Sequence, residues 1–312
     1  MHNVVEKLCV KCPLLRLVVV AGAWLSAPSA GAMVLFGLDN SANQTDPGTG
    51  VPFDAVGFVC GANGTTPQGS AINLGGGYML TAKHVSDSAI NNNAPYVTFD
   101  GTTFYQRDLT YIPTQVAPNV DLAVFRLTAV PTVGAVHIYT GATEQIAAAT
   151  QVGWGIGRNP TVPIDSAVVT WGTDSTIAKR WGLNKPLTVR TISYDSYSYQ
   201  AIETIAGNAT GSPAGLGDSE ASTTLYDSGS GLFQKISGTW YLIGVPTVAQ
   251  TNGSSTFGND TVTNTPAGDY NYAVRIGTYS SNILALIPEP SVAGLLAGGV
   301  VMLLGRRRNT RH

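Results

Sequence analysis

Three side chains in this 312-residue sequence stand where side chains do chemistry. His84 closes the run Gly75-Gly-Gly-Tyr-Met-Leu-Thr-Ala-Lys-His84, which reads as a strand stopping at the histidine beside a loop. An imidazole there has the ordinary pKa to take and return a proton near neutrality. Asp121 heads the run Asp121-Leu-Ala-Val-Phe-Arg-Leu127. Alone it can cap a turn; beside a histidine it accepts the second ring N–H and fixes the tautomer. Ser228 lies in Tyr226-Asp-Ser-Gly-Ser-Gly-Leu-Phe233, where glycines permit a turn tight enough to expose the hydroxyl and aim backbone N–H groups at one point. An alcohol, an imidazole and a carboxylate together suit nucleophilic acyl transfer.

Competitors are few. His2 and His312 sit at the extreme ends, and His137, inside Ala135-Val-His-Ile-Tyr139, reads as an ordinary strand residue. Ser219 follows Gly217-Asp218, but Glu220 and Ala221 come next, with neither a glycine turn nor a strand behind it. Cys9 and Cys12 fall in the N-terminal segment, so the body keeps Cys60 alone, in the apolar run Ala55-Val-Gly-Phe-Val-Cys60. It reads as a small buried hydrophobe, and no internal disulfide is expected.

The elements that must hold these groups are short and rich in Val, Ile, Tyr, Thr and Phe. Runs at 55–60, 77–82, 96–99, 122–127, 135–139, 150–154, 167–171, 187–192, 231–236, 239–245 and 270–276 alternate with Gly, Asn, Asp and Pro clusters. Strands of that length and spacing imply an all-β body of sandwich or barrel type. One stretch, Tyr279 to Leu286, has apolar residues at helical spacing before Pro288. No internal repeat is visible.

Both ends read as addresses. Residues 1–32 have a basic lead (Lys7, Lys11, Arg16), an apolar stretch from Leu17 to Leu25 and small residues at Ala30-Gly31-Ala32, the pattern of a signal peptide cut after Ala32 by signal peptidase. Residues 287–312 run Ile287-Pro-Glu-Pro-Ser291, an apolar segment from Val292 to Gly305, then Arg306-Arg307-Arg308. This order resembles the PEP-CTERM sorting signal, which implies transient inner-membrane contact and processing by an exosortase-like enzyme, with export to the periplasm, cell envelope or exterior. Between Met33 and Ile287, ten Lys or Arg stand against seventeen Asp or Glu. That acidic balance argues against a nucleic-acid partner.

Thr81-Ala82-Lys83-His84, Asp121-Leu-Ala-Val124, Gly153-Trp154-Gly155 and Asp227-Ser228-Gly229, in that order, resemble four landmarks of the trypsin/chymotrypsin-like serine proteases. The order His, Asp, Ser separates this family from subtilisins and α/β-hydrolases. The resemblance implies a chymotrypsin-like domain over 33–286: two antiparallel six-stranded β-barrels, at about 50–140 and about 150–276, a short C-terminal helix, and His84, Asp121 and Ser228 as a catalytic triad in the cleft. It also implies backbone N–H groups of Tyr226 and Ser228 as the oxyanion hole, Ser222, Thr247 and Ala249 around the substrate pocket, a peptide or protein substrate, and no cofactor or metal.

Two positions and the N-terminal start depart from the family. Tyr226 stands where glycine is usual, and a tyrosine there is strained if the position needs a positive φ. Ser222 in place of an aspartate removes any expectation of cleavage after Arg or Lys; small or uncharged side chains are expected instead. The chain has no Ile-Val-Gly-Gly start, so Asp227 lacks an evident partner and direct folding into the active form is expected. The rival readings are a catalytically silent, exported binding module of the same fold and a purely structural envelope protein.

Overall fold

Val56–Cys60 is buried at every position, which a strand lacking any polar residue requires. It lies inside the first of two curled antiparallel sheets. A computed structural model describes residues 33–144, 147–164, 169–206, 215–249, 255–257 and 269–288; the expected leader at 1–32 and the sorting segment from Glu289 onward lie outside the described residues. In the first sheet are β1 (Val56–Cys60), β2 (Gly69–Gly75), β3 (Tyr78–Thr81), β4 (Tyr96–Thr98), β5 (Phe104–Gln106), β6 (Thr114–Gln115) and β7 (Ala123–Arg126), in spatial order β5-β4-β1-β2-β3-β7-β6.

The second sheet holds β8 (His137–Ile138), β9 (Ala149–Gly155), β10 (Ala178–Asn184), β11 (Pro186–Tyr194), β12 (Tyr197–Ala206), β13 (Gly231–Ile236), β14 (Thr239–Ala249) and β15 (Asp269–Arg275). Its order is β10-β9-β13-β14-β15-β12-β11, with β8 joining β14 in parallel. The fold is therefore all-β and chymotrypsin-like, two sheet lobes closed by a C-terminal helix. Its sheets have seven and eight strands rather than six: the two-residue β6 is the extra strand of the first, and the two-residue β8 is one of the two extra strands of the second.

One apolar core runs through both lobes: Val56, Ile72, Leu80 and Val124 from the first sheet meet Val152, Tyr199, Phe233, Val245 and Val274 from the second. The seam is also polar. Trp154 stacks on Phe58 with ring centroids 5.5 Å apart and donates its indole N–H to the Val56 carbonyl at 3.2 Å.

Two helices depart from the sequence reading. The C-terminal helix α2 spans Ile276–Ala285, starting three residues before the expected Tyr279 and burying Ile276 and Ile283. A second helix, α1 (Lys83–Asn91), follows β3 directly. Only Val85, Ser86 and Ala89 of its nine residues are buried, so its apolar periodicity is too sparse to announce it. His84 therefore stands in the first turn of a helix, not at the end of a strand; β3 stops at Thr81.

Candidate active site

Strand pairing brings the histidine and aspartate to one place. β3 and β7 pair antiparallel with Thr81 opposite Ala123, so the chain leaving β3 toward His84 and the chain entering β7 from Asp121 pass the same end of the sheet. Asp121 is fully buried while the His84 side chain is about one-third exposed. His84 Nδ1 lies 2.7 Å from Asp121 Oδ2, and the His84 backbone N–H donates to Oδ1 at 2.9 Å. The second bond satisfies an N–H that the first turn of a helix leaves without an internal partner. One carboxylate thus anchors the ring and the backbone that carries it, leaving Nε2 as the ring's remaining proton site.

A third donor went unnoticed in the sequence. The Tyr194 hydroxyl, at the end of β11 in the other lobe, donates to Asp121 Oδ2 and stands 3.3 Å from His84 Nδ1. Its sequence signal is only that of a strand tyrosine.

Ser228 sits on a tight turn tied at both ends. Asp227 N–H donates to Thr224 O at 3.1 Å, Ser230 N–H to Asp227 O at 2.9 Å, and Gly229 N–H to Pro246 O at 2.9 Å. The Ser70 N–H of β2 donates to Ser228 O at 2.8 Å, pinning the turn to the first lobe. Gly69 makes that approach possible. A Cβ there would lie 2.7 Å from Val85 Cγ2 and 2.8 Å from Ser228 O, so the residue following His84 and the serine turn press on the same glycine. The Ser228 hydroxyl points to the Thr247 carbonyl at 3.4 Å; among the described residues no hydrogen bond joins it to His84.

Gly229 has φ +85°, and a Cβ would stand 2.1 Å from Ser70 O and 2.3 Å from Thr81 Oγ1. Both terms penalise a side chain. Gly229→Ala is expected to destabilise the fold by roughly 3 kcal/mol, combining overpacking with a left-handed backbone. A denaturant titration checks this through a lowered midpoint at unchanged slope.

The Tyr226 and Ser228 N–H groups donate to no protein acceptor among the described residues. Tyr226 adopts φ +71°, so the strain foreseen for a tyrosine at a glycine position is present, at a cost of about 1–2 kcal/mol. Its carbonyl accepts from Ser70 Oγ at 3.1 Å, which orients the peptide. Its phenol is half-buried, and burial first, then the charge of Asp174, raises its pKa.

Asp227, left without a partner by the sequence, is fully buried. Thr224 supplies its backbone N–H and its hydroxyl to Oδ2, both at 2.9 Å. Oδ1 has no hydrogen bond among the described residues. The backbone N–H of Met33 and the charge of Arg180 also favour the anion, yet burial outweighs them and pushes the carboxyl up to about 7. Met33 is itself buried, and the strand Val34–Leu35 behind it pairs with Ala221–Ser222.

A carboxyl whose folded pKa exceeds its unfolded value holds its proton longer in the native state. Stability is therefore fullest below about pH 4 and falls as pH rises toward 7. The loss is roughly 4 kcal/mol across that window, and Asp227→Asn is expected to flatten this part of the stability–pH curve measured by denaturant titration. A chain beginning at Met33 carries an ammonium where a longer chain carries an amide N–H. Its curve is expected to be flatter as well, because the cation favours the Asp227 anion.

Around the expected pocket, Ser222 is fully buried with its hydroxyl 3.1 Å from Asn271 Oδ1. Thr247 Oγ1 meets the Tyr199 hydroxyl at 2.6 Å, and Ala249 closes β14. The competing groups lie elsewhere. Ser219 is on a 3₁₀ turn (Gly217–Ser219) with its hydroxyl accepting from Asn43 at 3.3 Å, and His137 is exposed beside Tyr241. Cys60 is fully buried, and burial pushes its thiol up to about 12, which suppresses thiolate chemistry.

No protein-family model and no curated protein matches the chain. Among solved structures it is similar to an HtrA-type protease, AlgW with a decapeptide, at 16% identity and TM-score 0.44, over 70% of this chain and 52% of that one. It thus spans about half the length of that protein. It is also similar to inactive forms of the Rv3671c protease. One, from M. tuberculosis H37Rv and carrying a serine-to-alanine substitution, gives 11% identity and TM-score 0.48 over 81% and 97% of the two chains. Another gives 12% and 0.45 over 76% and 91%.

Proposed function

We propose that this protein is an exported serine endopeptidase. The observation that carries the reading is the His84 ring held at 2.7 Å by the buried Asp121 carboxylate, in a molecule whose Ser228 turn is tied to the neighbouring strand β2. An aspartate on Nδ1 fixes the tautomer that leaves Nε2 free to accept a proton.

In this reading the Ser228 hydroxyl leaves Thr247 O by rotation about its Cα–Cβ bond and turns to His84 Nε2. Its oxygen attacks the peptide carbonyl carbon as Nε2 takes its proton. The carbonyl oxygen becomes an oxyanion facing the Tyr226 and Ser228 N–H groups. The C–N bond then breaks as His84 gives the proton to the leaving amine, leaving an ester on Ser228. Water repeats the sequence in reverse roles and frees the acid. Ser222 provides a neutral pocket floor, with Thr247 and Ala249 along its wall, so small or uncharged side chains precede the cut. Digestion of a peptide library yielding cuts mainly after Arg or Lys would overturn that preference.

The N-terminal 32 residues direct export and are removed by signal peptidase. The C-terminal segment from Ile287 holds the chain briefly at the inner membrane for an exosortase-like enzyme. Among the described residues no helix is long and apolar enough to cross a membrane, and the apolar segment lies outside them.

A second reading draws on the 3.4 Å contact of Ser228 Oγ with Thr247 O: a silent binding module of the same fold. A fluorophosphonate probe separates the two. Labelling that maps to Ser228 supports the enzyme, and absence of labelling on folded protein supports the module.

A further inference from the structure

The hairpin β11–β12 belongs to the second sheet, yet its tip is fastened to the first lobe beside Asp121. The Ser198 N–H donates to Asn119 O at 2.8 Å, two residues before the carboxylate. The Tyr194 hydroxyl donates to Asp121 Oδ2, the oxygen that also faces His84 Nδ1. The phenol is held by its neighbours, with the Tyr197 ring 5.4 Å away and the Tyr199 ring edge-on at 6.2 Å. Burial first, and then the charge of Asp121, raises the Tyr194 pKa, which favours the protonated hydroxyl that donates to Asp121.

We propose that Tyr194 is a positioning residue for the His84–Asp121 pair, supplied across the seam by the opposite sheet, so that the pair is correctly set only while the hairpin tip is seated. The proposal rests on the endopeptidase reading for its kinetic consequence.

The phenol does two things to one oxygen. It fixes the carboxylate plane, because Oδ1 is bound by the His84 N–H and Oδ2 by a rigid ring, and it draws charge from Oδ2, weakening that oxygen's hold on an imidazolium. Losing the hydroxyl relaxes the geometry and leaves more of the anion for the ring. The effects point in opposite directions on rate and basicity, which separates positioning from mere packing. Other ionisable groups nearby are Asp87, paired with Lys83 on α1, Asp195 at the hairpin tip, and the phenols of Tyr197, Tyr199 and Tyr279. Of these, the Tyr199 phenol also hydrogen-bonds to Tyr194, a contact that Tyr194→Phe removes together with the bond to Asp121.

The experiment follows the His84 ring resonance, assigned by its loss in His84→Gln, through a pH titration of the full chain, with peptide hydrolysis measured in parallel. Tyr194→Phe is expected to move the His84 midpoint and the acid limb of kcat/KM to higher pH. Plateau kcat should fall about ten- to hundredfold, the scale of a hydrogen bond to a charged group, while KM stays within about twofold. Tyr197→Phe, which keeps the packing but has no hydroxyl on Asp121 to lose, should move neither. If Tyr194→Phe does not fold, 2,3-difluorotyrosine at position 194 keeps the ring and strengthens the donor, and should move the midpoint downward. A folded Tyr194→Phe with unchanged midpoint and plateau overturns the proposal. A moved midpoint in a chain that hydrolyses nothing upholds Tyr194 and overturns the endopeptidase reading.

Discussion

Ser228→Ala is expected to lower kcat by about a millionfold, the scale seen when a serine nucleophile is removed from a triad whose members act as a unit. The folded state should be almost unaffected. The Ser228 hydroxyl makes a single long contact, 3.4 Å to Thr247 O, whereas the turn is held through main-chain groups that alanine retains: Ser228 O to Ser70 N–H at 2.8 Å, and the Asp227 and Gly229 bonds. Residual hydrolysis should remain above the rate in water, because alanine retains the Tyr226 and Ser228 N–H groups proposed as the oxyanion hole. Parallel measurement of kcat and of the denaturation midpoint tests both halves. An alanine variant that is folded and fully active would leave Ser228 without a role.

Asp121→Asn is expected to cost about ten-thousandfold in kcat at neutral pH. The amide is isosteric, so packing at this fully buried position is preserved. What changes is the hydrogen-bond code. The carboxylate accepts from the His84 backbone N–H, from the His84 ring and from the Tyr194 hydroxyl, and an asparagine has one acceptor oxygen where three donors converge. If the amide oxygen keeps the backbone N–H, its NH₂ faces the ring, and the imidazole relieves the clash by placing its proton on Nε2. That is the wrong tautomer for a base. The loss should therefore fall mainly on kcat, with KM little changed, and the variant should be less stable because a buried donor is left unmatched. Asp121→Asn retaining wild-type kcat would mean that the carboxylate does not orient the ring.

Much of the fold could be read locally. Gly231–Ile236 appears as a strand with the expected bounds, and Val56–Cys60 and Tyr96–Thr98 differ from expectation by a residue. These runs are apolar and β-branched or aromatic, so burial and propensity agree. Gly69–Gly75 and Ala178–Asn184 were not foreseen as strands. The first reads as a loop because glycines bound it, and the second carries Lys179, Arg180 and Asn184 into the interior, where pairing partners rather than hydrophobicity justify them. Arg180, for example, reaches the Asn40 carbonyl through Nε at 3.1 Å.

The site divides in the same way. The sequence by itself determined which groups had the chemistry: so few histidines in the body, an acid heading an apolar strand, and a serine among glycines leave little choice of residue type. Only the tertiary structure decided what surrounds them. Tyr194 reaches Asp121 across 73 positions, Asn271 engages Ser222 across 49, Tyr226 takes up its positive φ, and the Ser228 hydroxyl turns to Thr247. Periodicity and propensity act between near neighbours along a chain, so they mark which groups lie at an element's edge. Contacts between distant segments depend on how two sheets close over a shared core, and that is set by the packing of the whole chain.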